Sequence, residues 1–223
     1  MRKELVVRAL TRFTGGVVIV GAMLFWPAGS WSYWNGWLLM AVLFIPIAIL
    51  GAVMVWRAPE LLDKRLSNKE NQQEQRYVVA LSALMFVASF VVAGLNFKHG
   101  WHTFPDAVVY AAAAVFLIAY TLYAEVIREN AYLSRTVEIQ QGQRLVDTGL
   151  YGIVRHPMYT ATVLLFLSMP LILGSLLSFA IMLAYIPLIV VRISGEERLL
   201  EQGLPGYKEY MQRVKYRLIP YVW

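Results

Sequence analysis

Residues 158–191 read MYTATVLLFLSMPLILGSLLSFAIMLAYIPLIVV, a run without a single charged side chain. A helix crosses the hydrocarbon core with about 20 mainly apolar residues, so this run is too long for one span. Near its middle, Gly174 and Ser175 in LILGSLLS supply a turn. Read that way, it is a tight helical hairpin, Met158 to Leu173 and Leu176 to Val191. Four more stretches are long and apolar enough to span: Thr11 to Gly29, Trp34 to Trp56, Tyr77 to Phe97 and Ala107 to Ile127. The pattern predicts an all-α integral membrane protein of about six transmembrane helices, the last two a hairpin, with cytoplasmic loops and a C-terminal helix.

Composition and charge agree with a membrane chain. Of 223 residues, 59% are hydrophobic and 15% charged, where a soluble domain carries roughly 25% charged residues. The net charge of +6 would point to nucleic acid only if the basic residues shared a soluble face. On the six predicted spans, every Lys and Arg except Lys98 falls before or at the very start of the first span (Arg12 is its second residue), in the two long loops or after the last. The positive-inside rule then places both termini and the two long loops in the cytoplasm, at the inner membrane if the cell is bacterial. Trp26, Trp31, Tyr33, Trp34, Trp37 and Trp101 gather at the opposite ends of the spans, as interfacial aromatics do. A basic start before an apolar run also suits a signal peptide. Losing it would spoil the charge asymmetry, so the first span is expected to stay. The bilayer is therefore the expected partner, and nucleic acid is not. The absence of cysteine excludes disulfides, zinc–thiolate sites and cysteine nucleophiles. His99 and His102 in KHGWH have no third ligand nearby, so no metal site is expected.

Chemistry on a water-soluble molecule belongs in the long loops. The first, RAPELLDKRLSNKENQQEQR, reads as an amphipathic surface helix that starts near Pro59 and Glu60 and turns Leu61, Leu62 and Leu66 toward lipid or protein. The second, ENAYLSRTVEIQQGQRLVDTGLYGIVRHPMY, alternates at Val137 and Ile139 and carries turn signals at Gly142 and Gly149. Pro157 suits the first position of the fifth span, which puts Arg155 and His156 at a helix N-terminus. Exposed N–H groups and the helix dipole there favour an anionic group. An arginine snorkelling to headgroups would account for Arg155 equally well. The hairpin returns Glu196 and Glu197 to the level of Arg155 and His156. Glu125, Arg128, Glu129 and Asn130 lie at that level too, and a carboxylate on an apolar helix is a functional candidate.

LVDTGLYGIVRHPMY, the hairpin, and EERLLEQGLPGYKEYMQRVKYRLIP together resemble the isoprenylcysteine carboxyl methyltransferase family, which is related to membrane phospholipid methyltransferases. The resemblance runs from about Glu129 to Pro220. It divides the chain into an N-terminal membrane region, 1–128, and a cofactor-binding catalytic region, 129–223. It implies S-adenosylmethionine held by Val146, Gly149, Tyr151, Arg155, His156, Pro157, Tyr159, Glu196 and Glu197. Arg217 or Arg213 would orient an acceptor carboxylate, with Glu197 as a further catalytic candidate. Glu125, Asn130 and Tyr185 are the candidates for substrate contact. Leu150, Gly152 and Ala161 depart from the usual pattern, which has proline, a basic residue and glycine there, and none of these removes a charged member.

The reaction so implied is carboxyl O-methylation of an isoprenylcysteine-like acceptor, a lipophilic small molecule or a prenylated peptide. A carboxylate needs no base, whereas a phospholipid amine must first lose a proton, and a glutamate would then act as base. Two other readings remain open on the residues alone. Membrane sterol reductases are similar in their C-terminal region and use NADPH, whose 2′-phosphate would call for more arginines. A non-catalytic scaffold would lose stability, not ligand, when His156 or Glu197 is replaced.

Overall fold

A computed structural model describes residues 2–67, 73–130, 132, 139 and 142–223. Val137 and the side chain of Leu61 lie outside the described residues. Among the described residues the regular secondary structure is helical, with one isolated bridge between Thr103 and Ser175. The elements run α1 (Arg2–Ala28), α2 (Trp34–Arg57), α3 (Pro59–Ser67), α4 (Gln73–His99), α5 (Asp106–Glu129), a short 3-10 turn (Gly149–Gly152), α6 (Pro157–Ile172), α7 (Leu176–Met182), α8 (Tyr185–Gly203) and α9 (Tyr207–Arg213).

Five apolar segments are long enough to cross a membrane: Lys3–Ala28, Trp34–Arg57, Tyr77–His99, Asp106–Glu129 and Leu176–Gly203. The expected fifth span, α6, has 16 residues, about 24 Å of helix at 1.5 Å per residue. Pro157 starts it, and the turn at Leu173, Gly174 (φ +70°) and Ser175 stops it. The following arm is not one straight helix either. It breaks at Leu183 and Ala184, where the bonds Ala184 N–H to Ile181 O and Ile186 N–H to Leu183 O tighten by one residue. Pro187 explains the break: it has no N–H for the Leu183 carbonyl that a continuous helix would leave waiting.

The turn after α6 is held from three sides. Tyr33 Oη donates to Leu173 O (2.7 Å) and Asn35 Nδ2 to Ile172 O (2.9 Å), so α2 satisfies carbonyls that a helix end leaves free. Ser175 Oγ caps α7 through Ser178 N–H (3.2 Å). Ser178 Oγ pairs with Ser89 Oγ of α4 (2.6 Å). The main core gathers around Leu24, Leu39, Phe116, Ile172, Met182, Ile189 and Ile193, with α5 lying along α6 and α1 along α4. At the other end of the bundle, Leu62 of α3 is buried against Leu5 and Met54, and Asp63 pairs with Arg8 (2.6 Å). Leu62 therefore faces protein.

Candidate active site

The link into α6 is closed by the last residue of α5. The carboxylate of Glu129 accepts the backbone N–H of Leu150 (3.0 Å), and Gly149 beside it has φ +55°. A Cβ at Gly149 would collide with that carboxylate. Glycine is required twice over, by the left-handed backbone and by the close approach. Gly149→Ala is expected to cost about 1–3 kcal/mol. Thermal unfolding in detergent reads this, and an unchanged midpoint would mean that Glu129 does not clamp the turn.

Tyr151 then joins three elements. Its hydroxyl accepts from Asn130 Nδ2 (3.0 Å), and its carbonyl accepts from Tyr210 Oη of α9 (2.7 Å). Burial holds the phenols of Tyr151, Tyr207 and Tyr210 above the ordinary tyrosine range, and at Tyr207 the carboxylates of Glu197 and Glu196 add to it. All three therefore remain neutral hydroxyls at physiological pH.

Arg155 and His156 enter α6 against the C-terminal tail. Arg155 N–H donates to Tyr216 O and His156 N–H to Arg217 O, both at 2.9 Å, and Thr160 Oγ1 donates to Leu218 O (2.8 Å). Two of the backbone donors that sequence alone assigns to an anion are thus satisfied by the tail. The Arg155 guanidinium, on a residue only 8% exposed, donates to Glu197 Oε1 (2.7 Å) and to the carbonyls of Val214 (2.8 Å) and Lys215 (2.9 Å).

The two adjacent glutamates have different surroundings. Glu197, 4% exposed, accepts at Oε1 from Arg155 and from His156 Nε2 (3.2 Å), and at Oε2 from Arg217 Nε (2.8 Å). A carboxylate can only accept, so His156 carries its proton on Nε2. Glu196 lines a cleft, where it accepts from Tyr159 Oη, and that hydroxyl in turn accepts from Arg192 Nε (3.1 Å). The chain Arg192–Tyr159–Glu196 links α8 to α6 beside the cleft.

Of the residues singled out in the sequence, Val146, Tyr151, Arg155, His156, Tyr159, Glu196 and Asn130 line this cleft together. Pro157 starts α6 behind it, and Gly149 sits on Glu129. Glu197 and Arg217 pair beneath the cleft, with the Arg217 guanidinium over the Trp223 ring (5.2 Å). Arg213 pairs with Asp147 at the surface, and Glu125 pairs with Arg128 on an exposed helix face. Tyr185 lies in the main core, with its hydroxyl on Thr162 Oγ1 (3.0 Å). Arg144, Leu145, Tyr207 and Tyr210 complete the lining. Arg192 was not singled out, although its i,i+4 spacing to Glu196 on α8 was readable. Among the described residues, no group of three or more His, Asp or Glu could hold a metal ion.

This cleft lies within and just beyond one stretch of the chain that has known relatives. Residues 107–205 match the phospholipid methyltransferase family. The phospholipid methyltransferase match covers α5 to the end of α8 and stops two residues before α9, leaving the C-terminal tail outside it. A Delta(14)-sterol reductase, TM7SF2, from Mus musculus is 35% identical over 91 residues, 40% of this chain. The match spans 22% of that protein's length, so it concerns one part of the reductase only.

Proposed function

We propose that the chain is a membrane methyltransferase that uses S-adenosylmethionine on a lipophilic acceptor, with its cleft and both termini on the cytoplasmic side and α6 to α8 as a two-armed hairpin. The observation that carries this reading is Glu196, which has no ion pair among the described residues, lining a cleft that falls largely inside the phospholipid methyltransferase match. The residues fit such a cofactor. Glu196 offers a carboxylate to an ammonium group, and Tyr151, Tyr207 and Leu145 offer apolar and aromatic surface.

When bound, S-adenosylmethionine supplies an electrophilic methyl group. The chain's part is to position the reactants and exclude water from the reacting atoms. His156 and Arg155 shape the wall while bound to Glu197, and so hold it in position. An isoprenylcysteine-like carboxylate would need no base. For a phospholipid amine, Glu197 is a poor base because both its oxygens are already engaged, and Glu196 would serve only if the cofactor's ammonium group were held elsewhere.

The sterol reductase relative favours a second reading, in which the same cleft takes NADPH and Arg144 faces its 2′-phosphate. Calorimetric titration of the detergent-purified chain separates the two. Binding of S-adenosylmethionine and of its demethylated product, with NADPH inert, is the expected result. Tight NADPH binding with neither sulfur compound bound would overturn it. Incubation of active membranes with methyl-labelled cofactor and prenylcysteine or phosphatidylethanolamine then identifies the acceptor.

A further inference from the structure

The first two spans are the least covered part of the bundle. In the most apolar part of α1 only 6% of residues are buried, and in α2 11%, against 33% in α4. Between α1 and α2 runs an apolar groove of about 1150 Å³, above the roughly 300–1,000 Å³ of a small-ligand pocket. Leu62 and Leu66 of α3 line its outer end, and Phe13 meets Phe44 edge-on (5.7 Å) at its inner end. At Gly51, on its α2 wall, a Cβ would meet nothing within 4 Å.

The charge on this groove has one sign. Lys3 and Arg12 line it, both exposed and neither in an ion pair among the described residues. Arg8 is matched instead by Asp63 (2.6 Å), and Glu4, Glu60 and Asp63 do not line the groove. Counting about 20 residues of hydrocarbon core back from Ala28 puts the membrane interface near Arg8. Arg12 therefore starts below the interface and Lys3 above it. A cation inside the hydrocarbon calls for an anion at its tip.

We infer that this groove is a specific site for one phospholipid with a net-negative headgroup. Its phosphate lies at the interface between Arg12 below and Lys3 above, and its acyl part follows α1 and α2 inward. Two cations with no carboxylate beside them complement a phosphate and leave a headgroup ammonium unmatched, so an anionic lipid is preferred to a zwitterionic one. The site shares no residue with the cleft and lies outside residues 107–205. It rests on α1 and α2 crossing the membrane and not on the proposed methyl transfer.

The test is native mass spectrometry of the delipidated full chain in detergent, with thermal unfolding beside it. Phosphatidylglycerol and phosphatidylcholine of matched acyl chains are the titrants. One phosphatidylglycerol should remain bound and raise the midpoint, and phosphatidylcholine should bind about fivefold more weakly. Arg12→Gln should weaken phosphatidylglycerol about tenfold and bring the two lipids close to parity. Gly51→Leu, which fills the groove without a clash, should weaken both. Neither substitution should lower the midpoint without lipid. Lys98→Gln removes one charge at the opposite end of the bundle and should change neither affinity. Equal binding of the two lipids by wild type overturns the site and leaves a general lipid contact only. An Arg12→Gln or Gly51→Leu chain that binds phosphatidylglycerol within twofold of wild type overturns it too. So does a Lys98→Gln chain as weak as Arg12→Gln, or a second copy of the chain bound in place of lipid.

Discussion

Glu197→Ala should lower the unfolding free energy by about 3–5 kcal/mol, the usual consequence of stripping one partner from a buried ion pair. The substitution strands Arg155, which keeps two carbonyl acceptors but loses its counter-charge, and it frees His156 and Arg217 together. Those three donors come from the entry of α6 and from the tail, so the joint between α6, α8 and the tail loosens as a unit. Thermal unfolding in detergent should show a large fall in midpoint. Glu197→Gln isolates the charge, because it keeps the volume and one accepting oxygen, and its fall should be smaller. A Glu197→Ala chain as stable as wild type but unable to bind cofactor would show the opposite, that the carboxylate serves the ligand and not the joint.

Glu196→Gln should do the reverse. Its hydrogen bond from Tyr159 Oη survives through the amide oxygen, so the midpoint should move little. The charge offered to a ligand's ammonium group is gone, and a charge-assisted hydrogen bond of that kind is worth about 1.5–3 kcal/mol. S-adenosylmethionine should therefore bind roughly ten- to a hundredfold more weakly. Its analogue 5′-methylthioadenosine, which lacks the amino-acid end, should bind as it does to wild type. Equal loss for both titrants would remove Glu196 from the ammonium role. An unchanged S-adenosylmethionine affinity would leave the charged end of the cleft without a function in binding.

The opposite expectations for neighbouring residues show what periodicity reveals. Successive residues on a helix point about 100° apart, so Glu196 and Glu197 cannot share a direction. Tyr185, Ile189, Ile193 and Glu197 are all buried and recur every four residues, one stripe running into the core. That stripe is readable in YIPLIVVRISGEE, and it sends Glu197 inward and Glu196 with Arg192 toward the adjacent face. A family motif groups the two glutamates, whereas the helix separates them. Arg155 and His156 were legible as a charged threshold to an apolar helix, but not their partners. The carbonyls of Val214, Lys215, Tyr216 and Arg217 belong to a tail that carries no signal for where it folds.

Hydropathy and length sufficed for a helical membrane chain with five long apolar segments, because each such segment must satisfy its own backbone in lipid, whatever its neighbours. They also placed Glu197 near Arg155 and His156, and it accepts from both. The tail over α6 and the hydroxyl of Tyr207, buried with no partner among the described residues, were decided by the tertiary structure. Each depends on which donors meet which acceptors across distant segments. Such pairings are fixed by packing of the whole bundle, and a local stretch of sequence does not contain them.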